Sequence, residues 1–221
     1  MRSYQQYCPA ARALDVIGER WTILVVRELL AGPKRYTDLQ DGLPGIGPNV
    51  LAERLRSLED SGLVEKRRMP PPAASTVYRL TELGEGLQPV LGSLFEWGLQ
   101  LVGKPGKGDA VKASYWLPAI QAAVRPGALG PEVHDSYEFR VGDESIVVTA
   151  EGGFVRVTSG AVDDPDVILT MDHATFADIG RGLLTSREAE ERGRLKVEGD
   201  AAAVERCARL FGAPVSAGAG T

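Results

Sequence analysis

The stretch "NVLAERLRSLEDSGLVEKRRMPPPA", Asn49 to Ala73, decides how the first half of this 221-residue chain folds. Leu51, Leu55 and Leu58 recur at helical spacing and fall on one face, Pro48 suits a first helical position because its missing N–H has no partner there, and Gly62 suits the residue just past the C-terminus. The opposite face, at 100° per residue, centres on Asn49, Glu53 and Arg56, with Val50 and Ser57 beside them and Arg54 on the flank. "LVEKRR" then reads as a strand, "TVYRL" (Thr76–Leu80) as its returning partner, and the prolines of "MPPPAAS" as an extended tip. A leucine-backed helix followed by a basic hairpin is the question this chain poses.

Upstream, Ala10, Leu14, Ile17 and Trp21 recur at intervals of three and four, predicting a helix from Pro9 to Trp21. "WTILVVRELLAGPKRY" continues with a second helix that Gly32 and Pro33 stop, and a third short helix reads from Tyr36 to Leu39 before the turn-rich "DGLPGIG". Downstream, Thr81 is placed to cap one last helix carrying Leu83, Leu87, Val90, Leu91, Leu94 and Leu101. Three helices, a hairpin and a closing helix make a winged helix-turn-helix. In that architecture the polar face of the fourth element enters a major groove, where Asn49 and Arg56 meet base edges with Pro48 and Arg54 beside them. Lys66, Arg67 and Arg68 on the hairpin, with Lys34 and Arg35 before the third helix, reach phosphates. For Arg54 a second reading stays open, a pairing with a carboxylate such as Glu53 or Glu59.

The charge balance fits that division. The chain carries net −5, yet residues 1–104 hold 13 Lys and Arg against 12 Asp and Glu, whereas residues 105–221 hold 12 against 18. The acidity belongs to the second half. The boundary is expected in "GKPGKGD" (Gly103–Asp109), giving domains 1–104 and 105–221. A hydrophobic fraction of 43% supports globular cores. With no apolar run of about 20 residues and no signal peptide, a cytoplasmic location is expected. Two distant cysteines and two isolated histidines, His134 and His173, predict no disulfide framework, metal site or cofactor.

In the second half "ASYWLPAIQAAV" reads as a helix, and "SYEFRVG", "ESIVVTA", "GFVRVTS" and "PDVILTMD" as strands joined partly by hairpin signals. Asp172 is placed to cap "HATFADIGRGLL", "GRLKVEG" is a late strand, and Asp200 is placed to cap "AAAVERCARLFG", with Cys207 in the core. This predicts an α+β layer, one sheet covered by helices. No nucleophile, base and orienting group assemble, so an enzyme is not expected.

The run from "CPAARALDVIGERW" through "NVLAERLRSLEDSGLVEKR" to "YRLTELGEGLQPVLGSLFEWG" resembles the HxlR family of bacterial winged-helix regulators over roughly residues 8–100. It shares the early Cys-Pro, the Trp opening the second helix, the Leu-x-x-Arg-Leu recognition helix and the Leu-Thr-Glu-Leu-Gly entry to the last helix. The resemblance implies double-stranded DNA as partner, a homodimer joined through residues 9–17 and 82–101, and a near-palindromic operator. It also makes Cys8 a candidate redox sensor, since relatives sense oxidants or electrophiles at this position. "PDVILTMDHATFADIGRGLLTSREAEERGRLKVEGDAAAVERCARLF" resembles the sterol carrier protein-like domain. That implies an apolar tunnel between sheet and helices, with Trp116, Phe139, Phe154, Phe176, Ile179, Leu183 and Phe211 as candidate lining. Together these predict a DNA-binding regulator, a repressor, whose second domain takes a hydrophobic small-molecule effector; the alternatives are a regulator switched at Cys8, or a lipid-carrier module.

Overall fold

A computed structural model describes residues 3–70, 75–103, 105–125 and 127–212. The chain divides into two compact units, Met1–Leu94 and Phe95–Thr221, the division falling inside a helix upstream of the glycine-proline segment. Pro71 to Ala74 of the expected hairpin tip, and Lys104 of the expected linker, lie outside the described residues.

The first unit runs α1 (Pro9–Ile17), α2 (Thr22–Leu30), α3 (Tyr36–Gly42), α4 (Pro48–Asp60), β1 (Val64–Arg68), β2 (Thr76–Leu80), α5 (Glu82–Glu85) and the start of α6 (Gln88–Leu99), the helix in which the division falls. The strands pair antiparallel from Val64↔Leu80 to Arg68↔Thr76. Lys34 adds a backbone bridge to Tyr78, so the segment leading into α3 joins the hairpin. Val25, Val26, Leu29, Leu39, Leu51, Leu55 and Leu58 form the buried centre. Gly62 ends α4 at φ +72°, a conformation that suits glycine.

Three expectations need correction here. The first helix stops at Ile17 rather than Trp21, because Trp21 takes φ +76° as the residue preceding α2. The third helix runs on from Leu39 to Gly42. The closing helix is two pieces, since Pro89 has no N–H to donate to the Glu85 carbonyl; proline is accepted in a first turn, so α6 restarts there.

The second unit follows α6 with a 3-10 turn (Ala113–Trp116), α7 (Leu117–Ala123), β3 (His134–Val141), β4 (Glu144–Glu151), β5 (Phe154–Ser159), β6 (Val167–Met171), α8 (His173–Gly180), α9 (Ser186–Glu191), β7 (Leu195–Gly199) and α10 (Ala201–Leu210). The strand order is β5-β4-β3-β6-β7, antiparallel throughout except for the parallel pair β3–β6, which a crossover after β5 makes necessary. Asp172 accepts from Thr175 N at 2.6 Å and Asp200 from Ala203 N at 3.1 Å, so both predicted caps form. Pro118 divides the expected "ASYWLPAIQAAV" helix into the 3-10 turn and α7 by the same rule as Pro89. The expected helix 173–184 ends at Gly180, and Gly182, at φ +69°, turns the chain. Helix α9 was not expected, although Thr185 and Glu188 form a reciprocal capping box that its spacing spells out.

Two of the candidate tunnel residues are misplaced. Phe154 is 82% exposed: it pairs with Glu151, whereas Phe139 pairs with Ile146, and the odd offset puts Phe154 on the other face of the sheet. Leu183 is 64% exposed because the Gly182 turn sends Leu184 inward instead. The remainder sit among aromatic contacts within the second unit. Trp116 packs edge-on against Phe95 at 5.2 Å and Phe176 at 5.7 Å, and Phe139 meets Phe211 at 5.7 Å. Ile179 is half-buried on α8. Buried Cys207 belongs to this core, its thiol pushed up to about 12 by desolvation.

Candidate nucleic-acid interface

Helix α4 buries its leucines and turns Asn49, Glu53 and Arg56 outward, as the 100° wheel predicts. It is held along its length by side chains from three other segments. At its start the Tyr36 hydroxyl donates to the Pro48 carbonyl at 2.7 Å, tying α3 to the first turn. Midway, Arg54 reaches Glu19 in the α1–α2 corner at 3.6 Å and Glu53 at 3.7 Å. Near its end Glu59 accepts from Lys66 of β1 at 2.8 Å, and the Lys66 ammonium also lies 5.3 Å from the Tyr78 ring centre. The hydrogen bond to Glu59 holds the Lys66 pKa above its ordinary value.

These contacts sort the nine residues expected at DNA. Lys34 Nζ sits 2.6 Å from Glu28 Oε2, and Glu28, only 5% exposed, also takes the Arg27 guanidinium at 2.7 Å. A carboxylate inside the apolar helix "ILVVRELL" is costly to bury without cations, and Lys34 supplies one of them. Lys66 is likewise engaged with Glu59, and Arg54 with Glu19 and Glu53, not with Glu59. Arg35, Arg56, Arg67 and Arg68 are exposed and form no ion pair with any described residue; Pro48 and Asn49 are exposed beside them. Sequence reasoning missed Glu19, Glu28 and Tyr36 as positioning groups. The signal for Glu28 was available, an acid alone in an apolar run six residues before Lys34.

A second surface of this unit is apolar. Tyr4, Tyr7 and Leu14 are exposed on or before α1, and Leu83, Val90 and Leu94 on α5 and α6. Cys8 is a free, half-buried thiol at the N-terminal boundary of α1. Among the described residues no helix is long and apolar enough to cross a membrane, and no three His, Cys, Asp or Glu side chains gather as metal ligands.

A leucine-backed helix with a guanidinium on its outer face, followed by a basic two-stranded wing, defines a winged helix-turn-helix DNA-binding protein. Residues 16–105 match the HxlR-like helix-turn-helix family and residues 123–212 the SCP-2 sterol transfer family. Among its relatives in Bacillus subtilis is the uncharacterized HTH-type transcriptional regulator YvaP, 34% identical over 98 residues, which are 44% of this chain and 91% of the relative. The HTH-type transcriptional regulator YodB is 36% identical over 100 residues, 45% of this chain and 88% of the relative. The solved reduced form of YodB aligns at 35% identity and TM-score 0.39, covering 46% of this chain and 99% of that one. The chain therefore belongs to the HxlR-like family of transcriptional regulators, with an SCP-2-type α+β region following the DNA-binding unit. Its relatives are regulators, not enzymes.

Proposed function

We propose that the chain acts in the cytoplasm as a dimeric repressor that binds a near-palindromic operator and lets go when its C-terminal unit takes a hydrophobic small molecule. The observation carrying the DNA-contact assignment is the set of exposed guanidiniums, Arg35, Arg56, Arg67 and Arg68, without an ion pair among the described residues, on the helix-turn-helix and wing of an otherwise acidic chain. Support for the dimer comes from the exposed Leu14 of α1 with Leu83 of α5 and Val90 and Leu94 of α6, apolar side chains of the kind that a partner surface covers. A two-fold axis through those helices presents two copies of α4 to successive major-groove faces.

In vitro selection from a random duplex library with the purified full chain supplies the operator, and no enrichment would sink the reading. On the selected duplex, Arg56→Ala is expected to cost about 1–3 kcal/mol and relax base preference at one position. Arg67→Ala or Arg68→Ala is expected to weaken all sequences alike and make the salt dependence shallower by about 0.9 in the log–log slope.

The effector acts only through a difference in affinity for the free and operator-bound arrangements. The SCP-2 match and the aromatic contacts of Trp116, Phe176, Phe139 and Phe211 support an apolar effector; the half-buried thiol of Cys8 at a helix N-terminus supports oxidation as a second input. One release assay separates them. Organic extract of the protein, identified by mass spectrometry, is expected to free the operator in wild type and in Cys8→Ser alike, whereas release by diamide that disappears in Cys8→Ser assigns the switch to the thiol.

A further inference from the structure

Arg54 stands out among the arginines of α4 and the wing. Its side chain is only 14% exposed, whereas the two carboxylates it faces, Glu19 and Glu53, are 62% and 64% exposed. Its Nε is buried with no hydrogen-bond partner among the described residues, and its terminal nitrogens stop at ion-pair rather than hydrogen-bond distance. A guanidinium that is desolvated yet incompletely satisfied is held by packing, and it gains most from a partner that can close the last few tenths of an ångström. Glu19 is that partner: it belongs to the corner between α1 and α2, a segment separate from α4, where Trp21 adopts φ +76°. Glu53 lies on α4 itself and cannot orient the helix against anything.

We propose that Arg54 is a positioning residue and not a DNA contact: through Glu19 it sets the angle at which α4 leaves the α1–α2 corner, and so the depth at which Asn49 and Arg56 meet the groove. This rests on the DNA-contact reading above and deepens it. A positioning role and a phosphate contact differ in one measurable respect. A phosphate contact releases a counterion and steepens the salt dependence, whereas an internal pair leaves the number of neutralised phosphates unchanged.

The test measures binding of the full chain to the duplex selected by wild type, over a range of salt, for Arg54→Gln, Glu19→Gln and the double variant. The expected result is a loss of about tenfold or more in specific affinity for each single variant, no further loss in the double, an unaltered salt slope, and little change in binding to a random duplex. Arg54→Lys should recover part of the loss, since one ammonium can still reach Glu19. A slope shallower by about 0.9 in Arg54→Gln with Glu19→Gln behaving as wild type would overturn the inference in favour of phosphate contact. Additive losses would overturn it as well. Should Arg54→Gln not fold, Glu19→Gln decides alone, because removing charge from an exposed carboxylate leaves the core intact, and wild-type affinity in that variant would end the proposal. If wild type enriches no duplex, it is the DNA-contact reading that falls, at an earlier and separate step.

Discussion

Arg206→Ala is expected to destabilise the second unit by about 3–5 kcal/mol, among the largest losses any single charge removal should produce in this chain. Arg206 on α10 binds Asp135 on β3 through both oxygens, at 2.6 and 3.0 Å, and the Tyr137 hydroxyl donates to the same carboxylate at 2.6 Å. Asp135 is 6% exposed and Tyr137 fully buried, so the guanidinium closes a polar cluster that joins helix to sheet across 71 residues of sequence. Removing it leaves a carboxylate in the interior with one neutral donor, and the burial that Arg206 offsets then acts alone.

The pH dependence follows from the same geometry. In the wild type the Arg206 hydrogen bonds hold the Asp135 carboxyl below its ordinary range against the opposing effect of burial. A depressed folded pKa contributes stability that is fully present above the unfolded value of about 3.9 and is lost as pH falls through the folded one. Wild type should therefore lose stability in acid below about pH 4 through this residue. In Arg206→Ala burial raises the carboxyl above its unfolded value, so the deficit is largest at neutral pH and shrinks as acid protonates Asp135. Urea unfolding of both proteins at neutral pH and near pH 4 checks the sign. An equal deficit at both would mean that lost packing by the Arg206 stem, not its charge, accounts for the change.

The winged helix was legible because its signals are local. Pro48, the Leu51–Leu55–Leu58 spacing and Gly62 bound α4 within its own residues, and Asp172 and Asp200 announce α8 and α10 in the same way. The two split helices were legible too, from Pro89 and Pro118, once proline is read as the first turn of a new helix instead of a tolerated member of a long one. The sheet faces were harder: Phe154 looks like core in a run of alternating residues, and only the pairing Glu151↔Phe154 shows which face it takes. Least legible was which cations are already engaged. Lys34, Arg54 and Lys66 look like Arg35, Arg56 and Arg67 in the sequence, and what separates them is Glu28, Glu19 and Glu59, brought close by packing rather than by periodicity. Counting basic residues could not show which of them the fold holds in its own ion pairs.

Leu55→Ala should remove about 2–5 kcal/mol from the first unit, and with it most operator binding at temperatures where wild type is fully active. Leu55 is 1% exposed and lies in the core cluster between Leu51 and Leu58, facing Val25, Val26, Leu29 and Leu39 from two other helices. Truncation loses the transfer energy of the deleted carbons and leaves a void that helices fixed by Tyr36, Glu19 and Lys66 can close only in part. Leu55→Met, which conserves volume, should cost less than about 1.5 kcal/mol and leave binding intact. Because a unit of this size carries only about 5–15 kcal/mol of stability, the alanine variant should show a clear fall in the unfolding midpoint reported by Trp21, which packs against the same cluster. This separates the variant from Arg56→Ala, which should bind poorly while unfolding as wild type does. If Leu55→Ala bound the operator poorly with its midpoint unchanged, the ladder would be acting at the DNA surface and not as the buried back of the recognition helix.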